Sequence, residues 1–154
     1  MKTKIIALFV ISLSFMSCAT APPPRQITNA FQIENSHDAV WQALIETFAE
    51  LNLPIQNMEK DSGLIVTDWI DFTGQTNEDY ADCGGLGINI EVNRVGKFNV
   101  FVKKITENTC EIKVNTMYEQ TMKFGDSLYK RKCNSTGKLE AEIFNLIKTK
   151  IGEN

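Results

Sequence analysis

Cysteine and histidine are the residue types with which this sequence could do chemistry. The 154 residues include four cysteines, Cys18, Cys83, Cys110 and Cys133, and a single histidine, His37. One histidine and the lack of a Cys-x-x-Cys spacing exclude a standard zinc site. A cysteine nucleophile would need His37 beside it as a base, and nothing in the sequence brings the two together. The cysteines therefore indicate disulfide formation or covalent attachment.

The composition indicates one globular domain of ordinary size. Hydrophobic residues make up 43% of the chain and charged residues 23%, as in an average globular protein. The formal net charge of −3 lacks the basic excess of a nucleic-acid-binding protein. No set of residues spells out a reaction. The sequence therefore predicts a protein that is not an enzyme, has no cofactor or metal, and does not bind nucleic acid.

Cys18 stands at the end of a segment that resembles a bacterial lipoprotein signal peptide. Two lysines precede the almost wholly apolar run Ile5–Met16, which is too short to span a bilayer, and Ser17 follows as the small residue before the cysteine. The resemblance implies that residues 1–17 are a signal peptide. It also implies that Cys18 becomes an N-terminus carrying fatty acyl chains such as palmitate, which hold the protein to a membrane.

The residues after Cys18 predict a spacer between a membrane and a folded domain. Three consecutive prolines, Pro22–Pro24, favour an extended polyproline II segment, so residues 18–25 form the lipid anchor and tether. The alternative is ordinary secretion, with cleavage after Ala21 at an Ala-x-Ala site. Since Ala19 and not Asp follows the cysteine, resemblance to enterobacterial lipoproteins implies the outer membrane, with the domain in the periplasm.

The other three cysteines would lie in an oxidising compartment, where disulfides form. Cys110 alternates with apolar residues of a predicted strand, so we expect a buried free thiol. Cys83 and Cys133 both lie in polar segments predicted to be loops. We predict a Cys83–Cys133 disulfide that ties the long central loop to the start of the last helix. Three free thiols are the alternative.

Two helices are predicted from apolar stripes and capping residues. Apolar residues recur at helical spacing over His37–Leu51, and Ser36 precedes them as the N-cap. A second stripe predicts a helix from Ser135 or Thr136 to about Ile151, followed by a glycine stop.

Alternating apolar and polar residues predict an antiparallel sheet with one buried face. Strands are expected at 88–92, 98–102 and 110–114, with turns at Arg94–Lys97 and Glu107-Asn108. Shorter strands are expected before and after the first helix, at 26–33, 52–60 and 63–72. Residues 26–154 are therefore predicted to be a single α+β domain, a two-layer fold with an antiparallel β-meander packed against two helices.

Aromatic residues give the candidates for a binding surface. We expect Trp41 and Trp69 in the core between the helix and the sheet, whereas Phe101 falls on the polar side of its strand. An exposed aromatic among polar neighbours can anchor an interface. The candidate interface residues are Phe101, Tyr80, Tyr118 and Tyr129.

Two segments resemble the repeated module of the BamC-type outer-membrane assembly lipoproteins. Ser36–Leu44 is a capped helix containing a tryptophan, and Asp61–Trp69 is a turn and strand ending at another. The resemblance implies a helix-grip-like α+β domain, present here as a single module.

The sequence favours two functions. The first is a lipid-anchored envelope lipoprotein that acts as a non-enzymatic interaction or structural module at the outer membrane, with an envelope protein as its partner. The alternative is a carrier that holds a small apolar ligand in a helix-grip cavity, which would need a pocket lined by aromatic and apolar residues.

Overall fold

The computed structural model describes residues 25–73, 79–85 and 91–152, which form eight strands and two helices. The strands are β1 (Ala30–Ile33), β2 (Ile55–Glu59), β3 (Leu64–Thr67), β4 (Ile70–Asp71), β5 (Ala81–Asp82), β6 (Glu91–Thr106), β7 (Thr109–Phe124) and β8 (Ser127–Ser135). The helices are α1 (His37–Glu50) and α2 (Lys138–Lys150). The expected signal peptide, Cys18 and the prolines of the expected tether lie outside the described residues, as does most of the strand predicted at 88–92.

A long hairpin of β6 and β7 forms the centre of the sheet. The two strands pair in antiparallel register from Glu91 opposite Lys123 to Thr106 opposite Thr109. The strand order in the sheet is β2-β3-β6-β7-β8-β5. In addition, β1 pairs with β7 and β4 pairs with β6, and every pairing is antiparallel. The predicted α+β class, with an antiparallel sheet and two helices, is therefore confirmed.

The hairpin divides into two halves with different neighbours. We call residues 98–116 of the hairpin, together with β1, β2 and β3, the near half of the sheet. In the near half β3 pairs with β6 and β1 pairs with β7. We call residues 91–97 and 117–124, together with β4, β5 and β8, the far half, where β4 pairs with β6 and β8 with β7.

Helix α1 begins where the sequence predicts. The Ala39 N–H donates to Ser36 Oγ at 3.4 Å, so the predicted N-cap is confirmed, and the helix ends at Glu50 with Leu51 as its C-cap. Helix α2 begins later than predicted, because Ser135 belongs to β8 and the N-cap is Gly137 in a left-handed conformation at φ 87°. No helix in the described part of the chain is both long and apolar enough to cross a membrane.

The main core lies between the helices and one face of the near half. Six even-numbered residues of β6 and β7 in the near half supply the sheet side of the core, and these six are almost fully buried: Phe98, Val100, Val102, Cys110, Ile112 and Val114. From α1, Phe48 packs at a tilt on Phe98, with ring centroids 5.6 Å apart. From α2, Phe144 stacks on Phe31 of β1 at 4.4 Å.

Two predicted breaks in the sheet are wrong. The turn expected at Arg94–Lys97 is continuous β6, because Gly96 sits in mid-strand where the rings of Phe72 and Tyr118 leave no space for a side chain. The loop expected before the last helix is mostly β8, which pairs with β7 from Ser127 to Cys133. The turn predicted at Glu107-Asn108 is confirmed, since it joins β6 to β7.

Candidate interaction surfaces

The structure distributes the predicted interface residues over three places. Phe101 lies on the sheet face turned away from the helices. Tyr80 and Tyr118 lie in a cluster around the disulfide, and Tyr129 lies on the β7–β8 hairpin. The candidate lipidation residue, Cys18, is outside the described residues. The structure therefore groups only two of these aromatics.

We call the sheet face opposite the helices the outer face. Its central row runs from Leu64 on β3 through Phe101 on β6 to Lys113 on β7, and Leu64 and Phe101 are both half-buried. Met117, on the same face of β7, is 42% exposed and stands opposite Lys97. This arrangement mixes apolar and basic groups on one surface.

Trp69 also belongs to the outer face, and the prediction that it lies in the core is wrong. It is 38% exposed, and Lys97 Nζ lies over its ring at 4.9 Å from the centroid, a cation–π contact. Residues 68 and 69 interrupt the predicted strand 63–72 between β3 and β4. Trp41 is only 6% exposed, so the prediction for that residue is confirmed.

An asparagine ladder crosses the outer face beside Phe101. Asn115 Nδ2 donates to Asn99 Oδ1 at 2.9 Å, and Asn29 Nδ2 donates to Asn115 Oδ1 at 3.1 Å. Asn99 and Asn115 are paired across β6 and β7. These bonds fix the amide orientations, so the face presents a rigid polar row next to its apolar one.

The second place is built around the predicted disulfide, which is confirmed. Cys83 and Cys133 are bonded, with their Cα atoms 4.3 Å apart, and Cys110 is a buried free thiol. Burial raises the pKa of the Cys110 thiol, which keeps it protonated and unreactive. Tyr118 lies opposite Cys133 in the sheet, and its ring meets the edge of Phe72.

The structure corrects the expectation that Tyr118 is available at a surface. Only 4% of the residue is exposed, because Phe72, Tyr80 and the disulfide surround it. Burial raises the pKa of its hydroxyl well above the usual tyrosine range, and nearby Glu140 adds to the effect. Tyr118 is therefore part of a small second core.

Tyr80 is half-buried and joins this cluster to helix α2. Its hydroxyl donates to Glu142 Oε2 at 2.8 Å, and this hydrogen bond, with a smaller contribution from burial, raises the pKa of Tyr80 to about 12. Lys138 Nζ lies 5.1 Å from the centre of the ring. Both contacts hold the loop before β5 against the first turns of α2.

Glu140 is the most deeply buried carboxyl group among the described residues. It is fully buried in the first turn of α2, and it accepts hydrogen bonds from Thr116 Oγ1 at 2.6 Å and Ser135 Oγ at 2.7 Å. A carboxylate at a helix N-terminus is stabilised by the helix dipole. The two hydrogen bonds therefore tie β7, β8 and α2 together through this one side chain.

The third place is the β7–β8 hairpin, where the sequence singled out only Tyr129. Phe124 is 64% exposed, Leu128 67% and Tyr129 56%, the three highest values among the large hydrophobic residues described. Two apolar residues flanking the Gly125-Asp126 turn were the signal in the sequence. The sequence pattern predicts no strand between residue 114 and the last helix, so it does not place these residues on a hairpin.

The interior between helices and sheet is occupied by large side chains. Phe48, Leu44, Ile65, Ile143 and Ile147 are all at most 1% exposed. A cleft of about 400 Å³ lies at the periphery, between Arg25, Arg94 and the loop of the disulfide. Within residues 25–73, 79–85 and 91–152, no three histidine, cysteine or acidic side chains come together as metal ligands.

Comparison with known proteins adds no relative. No model of a known protein family matches the sequence, and no curated protein matches it either. The resemblance to the BamC-type module therefore stays a prediction.

Proposed function

We propose that the protein is a lipid-anchored envelope lipoprotein whose domain acts, without enzymatic activity, as a protein-interaction module through the outer face of its sheet. One observation carries the proposal. Helices α1 and α2 both pack on one face of the sheet, and no element of the described residues covers the other, although Trp69, Met117 and Phe101 lie there.

The chemistry of the outer face suits a protein partner. Interfaces are enriched in aromatic residues and methionine, and Trp69 and Met117 are the exposed members of those types on this face. Lys97 stands between them, and the asparagine ladder adds fixed donors and acceptors. A partner with an apolar patch and acidic side chains would complement this surface.

The membrane location in this proposal depends on Cys18. Acylation of that thiol and a stiff spacer over residues 18–25 would place the domain near the outer membrane on the periplasmic side. We also propose a more specific fold for the domain. A single helix-grip-like module of the BamC type fits the capped helix α1, the turn before β3 and the antiparallel sheet.

A site-specific cross-linking experiment tests the interface. A photoreactive amino acid replaces Met117 in the full chain, and, as a matched control, Leu146 of α2, which is 39% exposed on the other side of the molecule. We expect an adduct with an envelope protein at position 117 that is lost with Phe101→Ser. No adduct at 117, or equal adducts at both positions, would overturn the proposal.

A separate experiment tests the anchor. Cells making the chain are given a fatty acid with a chemical tag, and the tag should label the native protein and not the Cys18→Ser variant. If the variant is still labelled, or if neither protein is labelled, the protein is not a lipoprotein anchored through Cys18. The proposal for the outer face would be unaffected.

The ligand-carrier alternative has no observation in its favour among the described residues. It needs an apolar cavity between helices and sheet, and that space holds fully buried side chains such as Phe48 and Ile112. The cleft beside Arg25 and Arg94 is lined mainly by polar and backbone groups. The interaction module is therefore the function that the structure supports better.

A further inference from the structure

The β7–β8 hairpin ends in a group of exposed apolar residues, of which only Leu128 lies on the outer face of the sheet. We call residues Phe124–Tyr129 the hairpin tip. Phe124, Leu128 and Tyr129 each expose more than half of their accessible surface. A group of large exposed apolar residues at one end of a domain indicates a site that contacts a protein or a membrane.

The apolar residues of the hairpin tip lie on both faces of the hairpin. Tyr129 stands opposite Met122, on the face that also carries Tyr118 and the disulfide, and Phe124 lies on that same face. Leu128 stands opposite Lys123 on the other face. A partner that docks flat against a sheet would need only one apolar face. An end that is apolar on both faces suits a medium that surrounds it, and hydrocarbon is such a medium.

Basic residues lie immediately behind the hairpin tip. Lys123 precedes it on β7, and Lys130, Arg131 and Lys132 follow it on β8. Lys130 and Lys132 are exposed, and Arg131 is half-buried because it donates to the carbonyl oxygens of Gly84 and Gly85. Apolar groups bounded by lysines match the boundary of an anionic bilayer, with acyl chains below and charged headgroups above.

We propose that the hairpin tip is a membrane-contact site, in which Phe124, Leu128 and Tyr129 enter the headgroup boundary of an anionic bilayer while Lys130 and Lys132 bind its phosphates. Asp126 at the turn sets the depth, because a carboxylate does not enter hydrocarbon without cost. Insertion is therefore shallow. The contact does not depend on acylation of Cys18 and would orient a domain that an anchor alone leaves free to turn.

A fluorescent reporter placed at the tip tests the proposal. The full chain with Cys18→Ser carries one new cysteine, Ser127→Cys, labelled with an environment-sensitive dye such as nitrobenzoxadiazole. Cys110 is buried and the other two cysteines are bonded, so the label goes to the new site. Ser62→Cys is the matched control, since Ser62 is an exposed serine in the turn between β2 and β3.

The anionic vesicles contain phosphatidylethanolamine with roughly a quarter phosphatidylglycerol. Vesicles of phosphatidylcholine alone are the uncharged control. We expect a blue-shifted, brighter emission at position 127 with the anionic vesicles only, and little change at position 62. Because both proteins carry the same N-terminal segment, binding through that segment changes both signals alike. Equal responses at the two positions, or none at 127, would overturn the proposal, and a protein partner for the tip would then be the better account.

Two pairs of variants separate the apolar and the charged contributions. Phe124→Ser with Leu128→Ser should abolish the response, whereas Leu51→Ser with Met58→Ser, exposed apolar residues elsewhere, should leave it unchanged. Lys130→Gln with Lys132→Gln should weaken binding about fivefold for each charge removed. Lys103→Gln with Lys113→Gln, which removes the same charge from the near half, should not. Thermal melting of each variant checks that it is folded. If neither the Phe124/Leu128 pair nor the Lys130/Lys132 pair changes the response, the proposal is contradicted.

Discussion

The near and far halves of the sheet are held together by different forces. In the near half, β6 and β7 present Val100, Val114 and Ile112 to the helices with no exposed surface at all. In the far half, the equivalent inward position is Gln120, also fully buried, whose Oε1 accepts from Arg94 Nε at 2.9 Å. The same long strands therefore change from an apolar to a polar interior along their length.

The two halves also differ in how well their buried polar atoms are hydrogen-bonded. Among the described residues, three buried side-chain atoms have no hydrogen-bond partner, Tyr118 Oη, Gln120 Nε2 and Arg131 Nε, and all three belong to the far half. Each such atom costs free energy on folding. The near half is stabilised by burial, and the far half depends on its disulfide. We expect the far half to open first.

Phe48→Ala tests the near half and should lower the stability more than any other variant considered. Phe48→Ala removes a ring with no exposed surface that contacts Phe98, so we expect a loss of about 3–5 kcal/mol in the free energy of unfolding. Leu128→Ala is the control, because a residue 67% exposed should change it by less than about 0.5 kcal/mol. Chemical denaturation measures both. Similar losses of stability for the two variants would contradict the claim that burial of apolar side chains stabilises the near half.

Removing the disulfide tests the far half. The Cys83–Cys133 bond closes a loop with a sequence separation of 50. Replacing both cysteines by serine should lower the free energy of unfolding by roughly 2–4 kcal/mol. Hydrogen exchange of the intact protein and the variant should differ mainly at residues 117–135. Equal loss of protection at the near-half strands would show that the sheet opens as one unit, and would contradict the expectation that the far half opens first.

The near half could be predicted from the sequence because its signals are local. Ser36 caps α1, the helix carries an apolar stripe, and residues 110–114 alternate between apolar and polar. Period and capping depend on neighbours in the chain, so a sequence pattern contains them. The outward position of Trp69 escaped prediction because it depends on Lys97, which is distant in the sequence.

The far half could not be predicted in the same way. Strand β8 contains Lys130, Arg131 and Lys132 in succession, which indicates a solvated loop, and pairing with β7 and the disulfide make it a strand. Gly96 indicated a turn by residue type, although its function is to leave space for two rings that come from other segments. In both cases the deciding contacts are long-range. The pairing of Cys83 with Cys133 was predictable only by comparing the surroundings of the cysteines.

Gly96→Ala tests the packing of the far half, and the expected loss of stability is smaller than for the disulfide. A Cβ at position 96 would lie 2.7 Å from the ring of Tyr118 and 2.8 Å from that of Phe72. Both rings belong to the disulfide cluster, so we expect a loss of about 1–3 kcal/mol in the free energy of unfolding. Gly85→Ala is the control, since no atom of the described residues meets that Cβ within 4 Å. Denaturant titrations of the two variants in parallel give the comparison, and a harmless alanine at position 96 would refute the packing argument.

The smallest effect concerns the pH dependence of the far half. The hydrogen bond from Tyr80 to Glu142 raises the pKa of Tyr80 to about 12, against an ordinary value of 10.0. Between pH 10 and about 12, the Tyr80 hydroxyl therefore keeps its proton in the native state and releases it in the unfolded state. The stabilisation is complete below pH 10 and is lost as the pH rises towards 12. The native protein should lose stability in this range, and more steeply than Tyr80→Phe.

Tyr118 supplies the control for this measurement. Burial raises its pKa as well, so Tyr80→Phe should reduce the alkaline loss of stability without abolishing it. Adding Tyr118→Phe should reduce it further. Melting temperatures of the wild-type chain and both variants at several pH values from neutral to about 12 measure the slopes. If Tyr80→Phe keeps the full slope, the hydroxyl does not bind Glu142 in solution, and the cluster that closes the far half is held by its rings and its disulfide alone.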